Sequence, residues 1–151
     1  MNNVITHKVD HDFSVRDIPS SESDFAINML PGAIGSEWTK ALSEQFITII
    51  DLSFSEITPS TNLVGTNVMG SRILWDVGIA PGLSNMLASH AVRKMGSLSS
   101  LKIYVGGNPA VPTGEWKYMA PFSPTDVLEE YTRPARILRS GVMDIVPAIS
   151  D

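Results

Sequence analysis

Residues 71–90 decide the fold, and they read Ser71-Arg-Ile-Leu-Trp-Asp-Val-Gly-Ile-Ala-Pro-Gly-Leu-Ser-Asn-Met-Leu-Ala-Ser-His90. The apolar run that ends at Trp75 predicts a buried strand, and Asp76 places a carboxylate at its end. A Gly/Pro turn follows, and an amphipathic helix begins at Leu83. Open α/β sheets bind ligands beyond the carboxyl ends of their strands. This strand-to-helix corner is therefore the first candidate site.

The segments before this corner repeat the same pattern. Residues 24–30 and 46–52 predict two more buried strands, and a helix predicted over residues 34–45 separates them. The helix after the corner is predicted over Leu83–Met95, with Gly96 as its stop and one face lined by Leu83, Met86, Leu87, Ala91 and Met95. Apolar strands that alternate with helices predict a parallel sheet covered on both faces. We therefore expect residues 1–96 to form an incomplete Rossmann-like α/β portion.

Two weaker predictions concern the rest of this portion. Residues 3–9 predict a short strand, and residues 10–23 predict a loop with one helical turn. Residues 55–70 predict an irregular segment that contains a short helix.

The pattern changes after residue 96. Residues 101–105 predict a strand, and a Pro/Gly-rich stretch follows it. Residues 125–131 predict a short helix capped by Ser123 or Thr125. Strands over residues 135–139 and 143–146 flank Ser140-Gly141, which predicts a hairpin. We expect residues 97–151 to form part of an α+β domain of the substrate-binding type.

Composition excludes several classes of function. The net charge is −5 and the sequence pI is about 5.1, which argues against a broad nucleic-acid surface. The chain has no cysteine, which excludes disulfides, zinc-thiolate sites and cysteine nucleophiles. No apolar run approaches the ~20 residues that span a bilayer. The N-terminus lacks the apolar segment of a signal peptide, so we expect a cytoplasmic protein.

Five segments, in their order along the chain, resemble the saccharopine dehydrogenase and lysine 6-dehydrogenase family. They are Ile27-Asn-Met-Leu-Pro-Gly32, Ile50-Asp-Leu-Ser-Phe54, Ala80-Pro-Gly-Leu-Ser-Asn85, Ile103-Tyr-Val-Gly-Gly107 and Phe122-Ser-Pro-Thr-Asp-Val-Leu-Glu-Glu-Tyr-Thr-Arg-Pro-Ala135. The last segment is the most specific, and the resemblance extends from residue 24 to residue 150. It implies an oxidoreductase fold that pairs a Rossmann domain with an inserted α+β substrate domain. It also implies hydride transfer between NAD or NADP and an amino-acid-derived substrate.

The sequence departs from the family pattern at the cofactor site. The family opens with a glycine-rich dinucleotide loop, but the nearest spacings here are Gly65-x4-Gly70 and Gly32-x2-Gly35, and neither is a GxGxxG motif. Val77 stands where family members often carry Cys beside the acid. The chain therefore resembles a truncated family member that lacks the N-terminal cofactor unit and the C-terminal end. No cofactor is expected for the isolated chain.

The corner supplies four candidate substrate-binding residues. Asp76 is predicted to orient an amine or a hydroxyl group, and the alternative is that it caps the turn. Gly82, Ser84 and Asn85 are predicted to present free backbone amides and a helix dipole to an anion. The alternative is that Ser84 or Asn85 caps the helix.

The family segment supplies two further candidates, and the first strand supplies a third position. Arg133 is predicted to clamp a ligand carboxylate, with an ion pair to Glu129 or Glu130 as the alternative. Tyr131 is included among the candidates, although its type favours a packed aromatic. Family members approach the nicotinamide at Pro31-Gly32, a cofactor position that we expect to be lost here. The scattered histidines predict no metal site.

Two classes of function remain open. One is a degenerate, non-catalytic relative that retains a corner for a small carboxylate or an amino acid. The other is an oxidoreductase subunit that becomes active when a partner chain supplies the cofactor site. Charged residues make up only 18% of the chain, and the strands are apolar on both faces. We therefore expect a homodimer or a higher homo-oligomer.

Overall fold

The computed structural model describes residues 5–18, 25–46, 48–56, 70–115, 117–120 and 122–150. The described part contains a three-stranded parallel sheet, a two-stranded antiparallel hairpin and three α-helices. This arrangement confirms the predicted mixed α/β fold class. No helix within the described ranges is long and apolar enough to cross a membrane.

The parallel sheet contains β1 (Ala26–Asn28), β2 (Thr48–Asp51) and β3 (Arg72–Leu74), in the order β1-β2-β3. All three predicted strands are confirmed, and each is shorter than its apolar run. Ile27 and Leu74 are about half exposed, at 51% and 53%. The expectation that both faces of the sheet are covered is therefore wrong for the described residues, because only one face carries a helix that packs closely on it.

Helix α1 (Gly32–Ser43) covers that face and makes the core. The buried apolar side chains are Val15, Leu42, Phe46 and Ile49, with Trp38 packed against them. Val15 belongs to a single 3-10 turn, as predicted for the N-terminal loop. Residues 5–9 form no strand, so that prediction is wrong where the structure describes it. Residues 3–4 and the short helix predicted within residues 55–70 lie outside the described residues, apart from the ends of the latter range.

Helix α2 has the predicted bounds, Leu83–Met95, and ends at Gly96 with φ of 82°. None of its residues is buried, so the apolar face of this helix does not form part of the core. Leu83, Met86 and Leu87 are 49–59% exposed, and Met95 is 72% exposed. The 3.6-residue period found the helix, but it could not show whether another element covers the apolar stripe.

The tail contains helix α3 (Pro124–Glu129) and the hairpin of β4 (Ala135–Arg139) and β5 (Val142–Val146). The helix and the hairpin are both confirmed, and the hydroxyl of Ser123 accepts the N–H of Asp126 at 3.4 Å, as the predicted cap does. The strand predicted over residues 101–105 is wrong, because the segment has no strand conformation and pairs with no other described residue. The division of the chain at residue 96 stays a prediction.

Candidate functional site

A buried polar network lies where β1 and β2 end against helix α1. The side-chain amide of Asn28 donates to the Gly35 carbonyl and to the Thr39 hydroxyl, each at 2.8 Å. Thr39 donates in turn to the Asp51 carboxylate at 2.7 Å, and Ser53 donates to the other oxygen of that carboxylate from its N–H at 2.8 Å and its hydroxyl at 2.6 Å. Buried polar groups are costly unless they are paired. The network therefore fixes the carboxyl ends of two strands relative to the helix.

The start of α1 is held from the far end of the chain. The N–H of Gly32 donates to both carboxylate oxygens of Asp126, at 3.2 and 3.3 Å, and Asp126 is 6% exposed. A carboxylate is favoured here because a helix N-terminus carries partial positive charge. Only glycine fits at position 32, since a Cβ would overlap the Phe54 carbonyl oxygen. The strand-to-helix turn predicted at Pro31-Gly32 is therefore also a point where the tail contacts the sheet domain.

Arg133 makes the second connection between the tail and the sheet. Its Nη1 donates to the Phe54 carbonyl oxygen at 3.1 Å, and its guanidinium lies 4.1 Å from the centre of the Phe54 ring. Its Nη2 forms an ion pair with Glu129, one helical turn earlier. Burial lowers the pKa of Arg133, although nearby acids, Glu56 first, oppose the shift. We call the Asp126–Gly32 and Arg133–Phe54 contacts the tail latch.

The ion pair that sequence reasoning gave as the alternative role of Arg133 is therefore present. Its predicted role as a clamp for a ligand carboxylate stays a prediction.

Asp76 pairs with Arg136 rather than with Arg133. The Arg136 Nη2 lies 2.9 Å from the Asp76 carboxylate, and the same guanidinium lies 5.1 Å from the centre of the Trp75 ring. Asp76 has φ of 56°, a conformation that costs energy in most non-glycine residues. Burial raises the pKa of Asp76, and the attraction of Arg136 only partly offsets it. The strand-end acid is thus joined to the hairpin.

The amides at the start of α2 are already occupied. The N–H of Gly82 donates to the side-chain oxygen of Asn85 at 3.0 Å, and the N–H of Ser84 donates to the Ile79 carbonyl at 3.0 Å. The N–H of Leu83 donates to the Gly78 carbonyl at 2.9 Å. The expectation of free amides is therefore wrong at Gly82 and Ser84. The capping alternative describes Asn85, and a tight turn explains why a side chain at position 82 would overlap backbone atoms.

A cleft of about 620 Å³ lies between the carboxyl edge of the sheet and the tail. Its lining comes from the strand ends, the turn before α2 and segments that follow α2: Met29, Leu30, Pro31, Leu52, Phe54, Ile79, Ala80, Val105, Gly106, Gly107, Tyr118, Phe122, Ser123, Asp126 and Glu130. Of the residues predicted from sequence, Pro31 lines this cleft, whereas Asp76, Asn85, Tyr131 and Arg133 do not. The volume suits a small ligand.

The structure also decides the expectation for Tyr131. Tyr131 is 60% exposed, so the interpretation as a packed aromatic is wrong. His90 is exposed on helix α2. No group of three acids, histidines or cysteines that could hold a metal ion occurs in the part of the chain that the structure describes.

Sequence reasoning missed Asn28, Asp51, Asp126 and Glu130. The first two carry a usable signal, because each is a polar residue that ends an otherwise apolar strand. Asp126 and Glu130 belong to the family segment over residues 122–135, in which Arg133 and Tyr131 were the predicted site residues. Only the folded chain shows that Asp126 reaches Gly32, 94 residues away.

Comparison with known proteins finds similarity to one family in the second part of the chain. Residues 78–151 match the family model described as the saccharopine dehydrogenase C-terminal domain. Over these residues the chain is similar to the saccharopine dehydrogenases. It is also similar to the mitochondrial alpha-aminoadipic semialdehyde synthases of Rattus norvegicus, Mus musculus and Bos taurus, with 27%, 28% and 29% identity over 136 residues. The match covers 84% of this chain but only 14% of each of those proteins.

Proposed function

We propose that this saccharopine dehydrogenase relative binds a small amino acid in the cleft and does not itself hold a nicotinamide cofactor. The observation that carries the proposal is the position of the cleft, at the carboxyl ends of parallel strands and against a tail that is latched to them. Parallel sheets place ligands at this edge. Because the lining comes from both parts of the chain, a ligand there contacts the sheet and the tail together.

The charges of the cleft favour the ammonium end of such a ligand. The described residues that line it include two carboxylates, Asp126 and Glu130, and no lysine or arginine. Asp126 is engaged by Gly32, whereas Glu130 makes no ion pair with another described residue. A free carboxylate in a largely apolar cleft is a suitable partner for a primary amine. Tyr118 and Ser123 add hydroxyl groups for orientation.

The relatives support the same ligand class. The three curated relatives are named for an amino acid, alpha-aminoadipic semialdehyde. Arg133 remains the alternative partner for the carboxylate end, since the Gly82 and Ser84 amides of the corner are already occupied. The cytoplasmic location of this chain stays a prediction, whereas the three relatives are named as mitochondrial proteins.

A second candidate function is an oxidoreductase subunit whose cofactor site comes from another chain. The feature that favours it is Pro31, which lines the cleft at the position where the family approaches the nicotinamide. In that arrangement this chain's residues would orient the substrate, and the partner would bind the cofactor that accepts the hydride.

Calorimetric titration with L-lysine, L-2-aminoadipate and saccharopine tests the proposal. We expect one of them to bind the unmodified chain, with at least about tenfold weaker binding in a Glu130→Gln variant because the ammonium loses its charged partner. A Glu115→Gln variant, altered at an exposed acid outside the cleft lining, is the matched control. No binding by any of the three compounds, or equal binding by the two variants, would overturn the proposal.

A further inference from the structure

The hairpin of β4 and β5 leaves both its edges without a strand partner among the described residues. On one of its faces Arg136 contacts Asp76 and Trp75, while the apolar side chains of that face stay exposed. Leu138, Met143 and Ile145 are 69%, 63% and 67% exposed. A two-stranded hairpin is marginally stable by itself in water, and a third strand that extends an apolar face stabilises it. The hairpin therefore lacks one strand.

Two residues of β5 direct their main-chain hydrogen-bonding groups toward the outer edge of the hairpin. Ser140 and Gly141 have φ of 51° and 83°, as in a two-residue turn, which makes the flanking pair Arg139 and Val142 a hydrogen-bonded pair. Bonded and non-bonded pairs alternate along an antiparallel ladder. The main-chain groups of Met143 and Ile145 therefore point away from β4. In agreement, the Ile145 N–H donates to the Asp144 side chain at 2.9 Å instead of to β4.

Residues 101–105 have the pattern of the missing strand. They alternate Leu101, Ile103 and Val105 with Lys102 and Tyr104, and all five are exposed. The sequence predicts a strand, but the segment has no partner in the described chain. Lys102 makes no ion pair with any described residue, since the ion pairs there involve other cations.

One antiparallel register between this segment and β5 satisfies both polarity and charge. With Lys102 opposite Asp144, Ile103 lies opposite Met143 and Leu101 lies opposite Ile145. The bonded positions of β5 then face Ile103 and Leu101, and the apolar side chains extend the exposed face of the hairpin. A shift of one residue sets apolar side chains opposite polar ones, and a shift of two residues moves Lys102 opposite a valine.

We propose that residues 101–105 of one copy of this chain pair antiparallel with β5 of a second copy, with Lys102 opposite Asp144. Each copy offers both the segment and the edge, so a two-fold arrangement uses the same pair of edges twice and closes the assembly. The Lys102 ammonium replaces the local contact between Asp144 and the Ile145 N–H, which is then free to pair with the incoming strand. Val105, at the end of the segment, also lines the cleft, but Leu101, Lys102 and Ile103, which define the register, do not, so the interface is tested separately from the proposed ligand.

Cysteine cross-linking tests the register, because the chain has no cysteine of its own. Lys102→Cys and Asp144→Cys chains carrying different tags are mixed and oxidised. A non-bonded antiparallel pair sets Cα atoms about 4.5 Å apart, within the range for a disulfide. We expect a mixed-tag dimer from this mixture and a several-fold lower yield from Ile103→Cys with Asp144→Cys, because Ile103 lies on the opposite face. No mixed-tag dimer, or equal yields, would overturn the proposal.

The double variant K102C/D144C separates pairing between copies from pairing within one chain. A disulfide-bonded monomer as the main product would place the segment on β5 of its own chain and would overturn the second copy as the partner. Sedimentation of the chain without cysteines gives an independent result. Lys102→Asp should weaken the dimer at least about fivefold, and K102D/D144K should restore it, because like charges directly opposite repel. A wild-type monomer at tens of micromolar, or no restoration, would contradict the proposal.

Discussion

Replacing Asp126 with alanine should weaken the attachment of the tail to the sheet and lower the stability of the fold. The carboxylate is 6% exposed, and it accepts the Gly32 N–H with both oxygens at the start of α1. A hydrogen bond to a buried charged group contributes about 1.5–3 kcal/mol, and the helix dipole adds about 0.3–1 kcal/mol. Asp126→Ala should therefore lower the free energy of unfolding by about 2–4 kcal/mol. Asp126→Asn should lower it by about half as much, because an amide oxygen still accepts the N–H but carries no charge.

Urea unfolding followed by circular dichroism measures these differences. Glu44→Ala is the matched control, since Glu44 is an exposed acid at the opposite end of the same helix. Its effect should stay within about 0.5 kcal/mol, as for most surface substitutions. The reasoning would be refuted if Asp126→Ala and Glu44→Ala had the same midpoint, because the contact across 94 residues would then contribute nothing measurable.

Three further predictions concern the strand end, the helix start and the cofactor. Burial raises the pKa of Asp76 above 3.8, so the stability that this acid contributes is fully present below pH 3.8 and is lost as the pH rises through the raised pKa. In urea unfolding between pH 3.5 and 6, Asp76→Asn should therefore lose less stability with rising pH than the wild type. Parallel pH dependences of the two proteins would contradict the raised pKa. Gly32→Ala should lower the free energy of unfolding by more than about 3 kcal/mol because its methyl group overlaps a backbone oxygen. Gly106→Ala is the control, because the nearest atom to its added methyl group is 3.8 Å away, and it should unfold at nearly the wild-type urea concentration. Titration of NADH fluorescence should give a dissociation constant above about 100 μM, because no glycine-rich loop is present in these 151 residues to hold the pyrophosphate; saturation at low micromolar protein would show that another segment replaces the loop.

The periodic parts of the fold were predictable from sequence because each element carries its own pattern. The bounds of α2 agree with the prediction to the residue, and the turn at Ser140-Gly141 was visible from its residue types alone. The prediction was wrong where an element depends on a partner. Residues 101–105 have a strand's composition, but a strand also needs a neighbour to receive its hydrogen bonds, and no local pattern specifies one.

In the candidate site, too, local features were predictable from sequence and contacts between distant residues were not. The corner at Gly82 and Asn85 was found because its turn and helix start are local features. Its amides were expected to be free, yet the Ile79 carbonyl accepts the N–H of Ser84 and the Asn85 side chain accepts the N–H of Gly82. The tail latch joins Gly32 to Asp126 and Phe54 to Arg133, so only the folded chain shows it. Glu130 was considered only as an ion-pair partner, because the cleft that exposes it forms between distant segments.

The proposed function places a small amino acid in the cleft rather than at the corner at the start of α2. A titration of ¹⁵N-labelled protein with L-lysine, L-2-aminoadipate or saccharopine, followed by amide chemical shifts, distinguishes the two positions. We expect saturable shifts at Leu30, Phe54, Gly106 and Gly107, which line the cleft, and their loss in Glu130→Gln. Shifts confined to Gly82, Ser84 and Asn85, or no saturable shift with any of the three compounds, would contradict it.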